Sequence, residues 1–330
     1  MGQLSSSLRS STVTPARVAA TITLSAILIV GMGWSLSPAA ATIHPNTATT
    51  QFHVGLSVRS IARLGKRPHD SMGLHRETSA TGGTAPTTQP APLDDPGNWK
   101  LQFQDNFSST SLDTSKWAPC YPWFTPCNHG TNFGNTELEW YLPSNVTVSG
   151  GELRLVAHET PTVGYSKTHD TEIYPWSSGI VTTHNSFHFK YGFVQIVARV
   201  PAGDGFWPAL WLLPWNTLSP PEIDIMEVWG HDTSQVAFTN IASFGNHQQV
   251  HLNTSNLANS FHTYGLDWEP NSITWYLDGK AVDHVTSGVS NYPMYLLMNL
   301  AIDGETNLTP NASTPKTGSF DIKSVNIWQH

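Results

Sequence analysis

Three carboxylates stand within six residues at Glu222-Ile223-Asp224-Ile225-Met226-Glu227, interleaved with apolar side chains. Charged residues make up 12% of the chain, so three acids in one apolar stretch need a chemical reason. In a regular strand Glu222 and Asp224 share a face and Glu227 points the other way, because side chains alternate with period two. One extra residue accommodated as a bulge near Met226 would bring all three to the same face. Two carboxyls about 5 Å apart across a sugar can break a glycosidic bond by double displacement: one attacks the anomeric carbon, the other protonates the departing oxygen and later activates water. Asp224, between them, can hydrogen-bond Glu222, orient it, and help hold the outer acids in different protonation states. The spacing alone also fits a solvated acidic edge strand. The apolar alternates and the aromatic surroundings point instead to the floor of a cleft.

Those surroundings begin at residues 205–215, GFWPALWLLPW. In an extended strand Trp207, Trp211 and Trp215 lie on one face, and Pro208 and Pro214 argue against a helix of the same spacing. Core packing competes with sugar stacking for each of these rings; a row of indoles beside a carboxylate trio favours stacking.

The elements that must position these groups are strands. From Trp99 onward the chain runs in short alternating segments separated by Gly, Pro, Asn, Asp or Ser, clearest at 145–148, 152–157, 187–200, 272–277 and 321–328. No long segment has helical period. The expectation is an all-β domain of two packed sheets over 97–330.

Composition changes sharply near residue 96. Residues 97–330 hold twelve of the thirteen Trp and carry nine basic and twenty acidic residues, a formal charge of −11. Such a domain is a poor partner for nucleic acid, anionic membrane or sulfated polymer, and suits a neutral polysaccharide. Residues 1–41 read as a secretory signal: Arg9 and Arg17, an uncharged run over 18–36, then Pro38 and Ala39-Ala40-Ala41, with cleavage near Ala41. An uncleaved anchor with an extracytoplasmic domain is the alternative, since the apolar run approaches the ~20 residues that span a bilayer. Residues 42–96 form a disordered linker rich in Thr, Ser, Pro and Gly. In an exported protein, Cys120 and Cys127 are expected to close a disulfide around an aromatic loop.

The acid motif, GFWPALWLLP, the stretch from Lys190 to Gly203, and FHTYGLDWEPNSITWYLDGK at 261–280 together resemble glycoside hydrolase family 16. So do LQFQDNFSSTSLDTSKW at 101–117, GNTELEWY at 134–141, YLLMNLAIDG at 295–304 and the closing SFDIKSVNIW. These blocks follow the family's order across almost all of 97–330. The resemblance, to the laminarinase-like branch with the bulged Glu-x-Asp-x-x-Glu motif, implies a concanavalin A-like β-jelly-roll sandwich with a concave substrate groove and a retaining mechanism. By motif position it makes Glu222 the nucleophile, Asp224 its assistant and Glu227 the acid/base, and it makes Asn135, Trp207 and Trp211 sugar contacts. It further implies a structural calcium, with Asp321 as one ligand; the Glu common near Phe107 is Asn106 here.

Two other departures concern the groove. The family's His-aromatic pair on the strand after the acids is missing from Val236 to Phe244, and Ile180 or Val181 stands where an Arg often follows a Ser-Gly turn. The sequence therefore points to a secreted, monomeric, retaining endo-β-glucanase acting on β-1,3 or mixed β-1,3-1,4 glucan, with no required cofactor. An agarase or galactanase, a transglycosylase, or a non-catalytic glucan-binding jelly roll is the alternative. The last would keep the tryptophans and lose an acid, and all three acids are present.

Overall fold

Alternating apolar and polar side chains are what a half-buried strand requires, and the segments that carry this alternation are strands in the computed structural model, which describes residues 92, 97–123, 127–133, 136–165, 170–303 and 308–330. The leader, the linker apart from Pro92, and Asn135 lie outside the described residues. No helix among the described residues is long and apolar enough to cross a membrane.

Eighteen strands among the described residues form two large sheets and a hairpin. The larger sheet has the order β16 (Lys280–Val285), β15 (Ser272–Leu277), β14 (His262–Glu269), β9 (Gly192–Arg199), β18 (Thr317–Gln329), β4 (Glu152–His158), β7 (Trp176–Ser178), β2 (Glu139–Tyr141). To it are added β1 (Lys100–Asp105) beside β18 and β3 (Val146–Ser149) beside β4. The smaller sheet runs β13 (Asn246–Asn253), β12 (Gln235–Ser243), β11 (Glu222–Glu227), β10 (Phe206–Pro214), β17 (Met294–Ile302), β8 (Ile180–Thr182), and β5 (Thr162–Tyr165) pairs β6 (Thr171–Tyr174). The protein is a β-jelly-roll sandwich.

The facing sides of the two sheets make one core. Leu210, Leu212, Ile223, Ile225, Phe238, Leu296 and Met298 from the smaller sheet meet Leu155, Val194, Ile196, Leu266, Trp268, Trp275, Phe320 and Ile327 from the larger, all buried. Each such side chain contributes roughly 1.5–3 kcal/mol on leaving water. This burial fixes which residues of the smaller sheet must point outward, and those residues build the cleft.

The strand expected over 187–200 is interrupted. Tyr191 has φ 64° and Gly192 φ 134°, so pairing in the larger sheet begins only at Gly192. A Cβ at Gly192 would lie 2.2 Å from the Trp328 carbonyl oxygen, so only glycine allows this approach. Phe189 joins the other sheet's strand end instead, bridging to Met294.

Candidate active site

β11 carries the acids at the middle of the smaller sheet, and its register slips within the motif. Against β12, Asp224 faces Thr239 and Glu227 faces Ala237, which leaves Ile225 and Met226 opposite Phe238 alone. Against β10, Met226 faces Leu210 and Asp224 faces Trp211, with Ile225 passed over. Ile225 and Met226 are both fully buried in the core, as are Ile223 and Val228. Two adjacent apolar residues thus turn to the same side, and the bulge puts Glu222, Asp224 and Glu227 together on the outer side. The interruption of the ladder is repaired from the larger sheet, where the Trp275 indole donates to the Asp224 carbonyl oxygen at 2.9 Å.

The cleft over these acids is lined by Trp207, Ala209 and Trp211 of β10, Asn299 and Ala301 of β17, and Phe133 and Glu137 from the segment before β2. Each of the two glutamates has a directed donor. Ser219 Oγ donates to Glu222 Oε2 at 3.0 Å, and Trp207 Nε1 donates to Glu227 Oε1 at 3.1 Å. Thr239 Oγ1 lies 3.3 Å from Glu227 Oε2 as its donor. Trp211 Nε1 donates to Asn299 Oδ1 at 2.7 Å, and Asn299 Nδ2 to the Tyr141 hydroxyl at 2.9 Å, which locks the indole edge on the cleft floor.

Electrostatically the site is expensive. Burial pushes Glu222 up to about 7, against the Ser219 hydrogen bond that lowers it and with Glu227 adding repulsion. Burial likewise pushes Glu227 up to about 7, although Thr239 and Trp207 donate to its carboxylate. Asp224 is raised well above the usual carboxylate range by burial and then by both glutamates. Behind the cleft-lining Glu137, fully buried Glu139 accepts the Ile302 N–H at 2.6 Å and is raised by burial and by Glu137. These shifts have a consequence for stability. A folded state that holds a carboxyl proton more tightly than the unfolded chain keeps its full stability below the unfolded value of ~4 and loses stability as pH rises through the folded value. Asp224→Asn is therefore expected to stabilise the fold by on the order of 1 kcal/mol at pH 7 and to change nothing near pH 3, read from denaturant melts at both.

The residues singled out from sequence separate in space. Trp207 and Trp211 border the acids, whereas Trp215 lies past the end of β10, stacked on His188 at 4.0 Å with its indole donating to the His184 carbonyl. Cys120 and Cys127 form a disulfide, and the adjoining Tyr121 packs edge-on to Trp211, tying that loop to the cleft. Asp321 stands on the outer side of the larger sheet, away from the acids. Its cross-strand neighbours are Arg154 and Arg199, with Nε at 3.8 Å and Nη2 at 2.7 Å. A carboxylate between two guanidiniums does not fit a calcium ligand set, which needs an excess of oxygen donors and no adjacent cation. Chelation by EDTA is expected to leave the melting temperature unchanged, while Arg199→Ala should lower stability by about 1–2 kcal/mol by stripping a buried carboxylate of its nearest cationic partner.

Sequence reasoning missed Thr239, Ser219, Asn299 and Glu137. It also passed over His251, whose ring is 5.8 Å from that of Trp229, two residues beyond Glu227.

Comparison with known proteins agrees with this geometry. The glucan endo-1,3-beta-glucosidase A1 of Niallia circulans is 35% identical over 259 residues, covering 68% of this chain and 37% of that protein. The endo-1,3-1,4-beta-glycanase EglC of Rhizobium meliloti (strain 1021) is 32% identical over 217 residues, covering 61% of this chain and 46% of that protein. The chain thus spans less than half the length of either. The laminarinase catalytic domain from Thermotoga maritima MSB8 superposes with a TM-score of 0.62 at 26% identity, covering 71% of this chain and 99% of that one. Residues 136–317, more than half of the chain and the whole of β11 with its bulge, match the model for glycosyl hydrolases family 16, and the chain belongs to that family.

Proposed function

We propose that this chain is a secreted, retaining endo-β-glucanase that hydrolyses β-1,3 or mixed β-1,3-1,4 glucan. The observation that carries the reading is the bulge at Ile225-Met226, which collects three carboxyls on one side of β11 over an aromatic cleft. Glu222 is the nucleophile. Its carboxylate attacks the anomeric carbon while Glu227 gives its proton to the departing glycosidic oxygen; the bond from carbon to that oxygen breaks as the ester to Glu222 forms. Glu227, now ionised, takes a proton from water, the hydroxide oxygen bonds the anomeric carbon, and Glu222 leaves as carboxylate. Asp224 stands between the two and couples to both electrostatically. The reaction balances with water as second substrate; an acceptor sugar in its place gives transglycosylation.

Trp207 and Trp211 offer indole surface to sugar rings, and the domain charge of −11 over 97–330 favours a neutral polymer. The names of the two curated relatives give β-1,3 and β-1,3-1,4 linkages as what those proteins cleave, and this supports the same linkages here. The test is product analysis of the full chain with laminarin, barley mixed-linkage glucan, agarose and xyloglucan. Oligosaccharides from the first two are expected. Cleavage of agarose alone would move the substrate to galactan, and binding with no cleavage would make the protein a glucan-binding module.

A further inference from the structure

Both oxygens of Glu227 are held, and the two holding arms meet again at the sheet edge. One arm runs from Oε1 to the Trp207 indole, which stacks on Trp229 at 5.8 Å and 22°, and Trp229 lies 5.8 Å from the His251 ring. The other runs from Oε2 to Thr239, from Thr239 Oγ1 to Gln249 Nε2 at 3.0 Å, and from Gln249 Oε1 to His251 Nε2 at 3.1 Å. The register makes this arm possible: Thr239 stands opposite Asp224, and Gln249 opposite Thr239.

We propose that Gln249, oriented by His251, is a positioning residue for the acid/base, acting through the direction of the Thr239 hydroxyl. The inference rests on Glu227 being the acid/base. An amide has one accepting and one donating end. With the Gln249 carbonyl accepting the His251 Nε2–H, its NH2 is turned to Thr239. A hydroxyl oxygen that accepts that N–H directs its single hydrogen elsewhere, and Glu227 Oε2 is its acceptor. Donation to the carboxylate favours the ionised form and opposes the rise caused by burial. Without Gln249 the Thr239 oxygen is free to accept instead. The proton of Glu227 is then drawn into a bond with Thr239 and away from the glycosidic oxygen.

Other charged or titratable groups face the acid. Glu222 and Asp224 share its strand, and Glu137 lies across the cleft. On β13, His247 occupies the same side as Gln249 and His251, opposite Ile241. The facing residues of β10 and β17, Trp207, Trp211 and Asn299, carry no charge. Of these groups Asp224 also meets the Thr239 hydroxyl, so it shares any change made there through Gln249.

The test compares a poor and a good leaving group. Departure of a glucan chain needs proton donation, whereas departure of dinitrophenolate from a dinitrophenyl β-laminaribioside does not. Gln249→Leu in the full chain is expected to lose about tenfold in kcat/KM on glucan and less than about twofold on the aryl glycoside, with the alkaline limb of the glucan profile moving up by ~0.5 unit. His251→Ala should shift the limb the same way by less. In a Thr239→Val background, Gln249→Leu should add no further selective loss. Equal losses on both substrates, an unmoved limb, or additive effects with Thr239→Val would overturn the proposal. Glu227→Ala separates the two readings: if it retains glucan hydrolysis, the acid/base assignment fails, and if it does not while Gln249→Leu behaves as wild type, only the role of Gln249 fails.

Discussion

Glu222→Gln is expected to reduce glucan hydrolysis by about 10⁴-fold or more while leaving oligosaccharide binding intact. The amide keeps the volume of the carboxylate and can still accept from Ser219 Oγ, so the cleft keeps its shape. What it loses is the anion that bonds the anomeric carbon, and no neighbour replaces it, because Asp224 lies within 5% of full burial against Thr239 and the two glutamates. Single-turnover kinetics on laminarin and mixed-linkage glucan, with calorimetry on a laminari-oligosaccharide, measure the two effects separately. A binding module would show no hydrolysis to lose in either form.

Glu227→Ala is expected to cost about 10²–10⁴-fold on glucan, equivalent to roughly 3–5 kcal/mol of transition-state stabilisation. The loss should be far smaller on a dinitrophenyl glycoside for the first half-reaction, and sodium azide should restore turnover by entering the space beside Trp207 and Thr239 that the side chain vacates. The product is then a β-glycosyl azide, formed by attack on the glycosyl-enzyme ester. Glu222→Ala with azide should instead give the α-glycosyl azide by direct displacement. Exchange of these two outcomes between the variants would reverse the roles of the glutamates.

Much of this site was legible in the sequence because it depends on neighbours along the chain. Apolar residues at 223, 225, 226 and 228 break strict alternation at one point, which is how a bulge looks before it is folded. Trp207 and Trp211 share a side of one strand and could be paired by counting. Trp215 could not, since β10 ends at Pro214 and the ring turns to His188. Thr239, Asn299, Gln249 and His251 gave no signal, because each is one polar residue on its own strand. Their roles come from cross-strand register, which joins segments distant in sequence.

The same reason accounts for Asp321. Its position suggested a calcium ligand, but Arg154 and Arg199 reach it only through pairing of β18 with β4 and β9. The strands themselves followed the alternation closely at 152–157 and 272–277. The break at Tyr191-Gly192 did not, since positive φ at a tyrosine has no mark in composition.

In the proposed mechanism Glu222 and Glu227 act in turn on one anomeric carbon, so that two inversions leave its configuration unchanged. Proton NMR of the first product released from laminarin or mixed-linkage glucan by the full chain tests it most directly, followed before mutarotation scrambles the signal. The β-anomer is expected to appear first and the α-anomer only later, by mutarotation. Initial release of the α-anomer would mean a single displacement by water and would contradict the covalent role of Glu222.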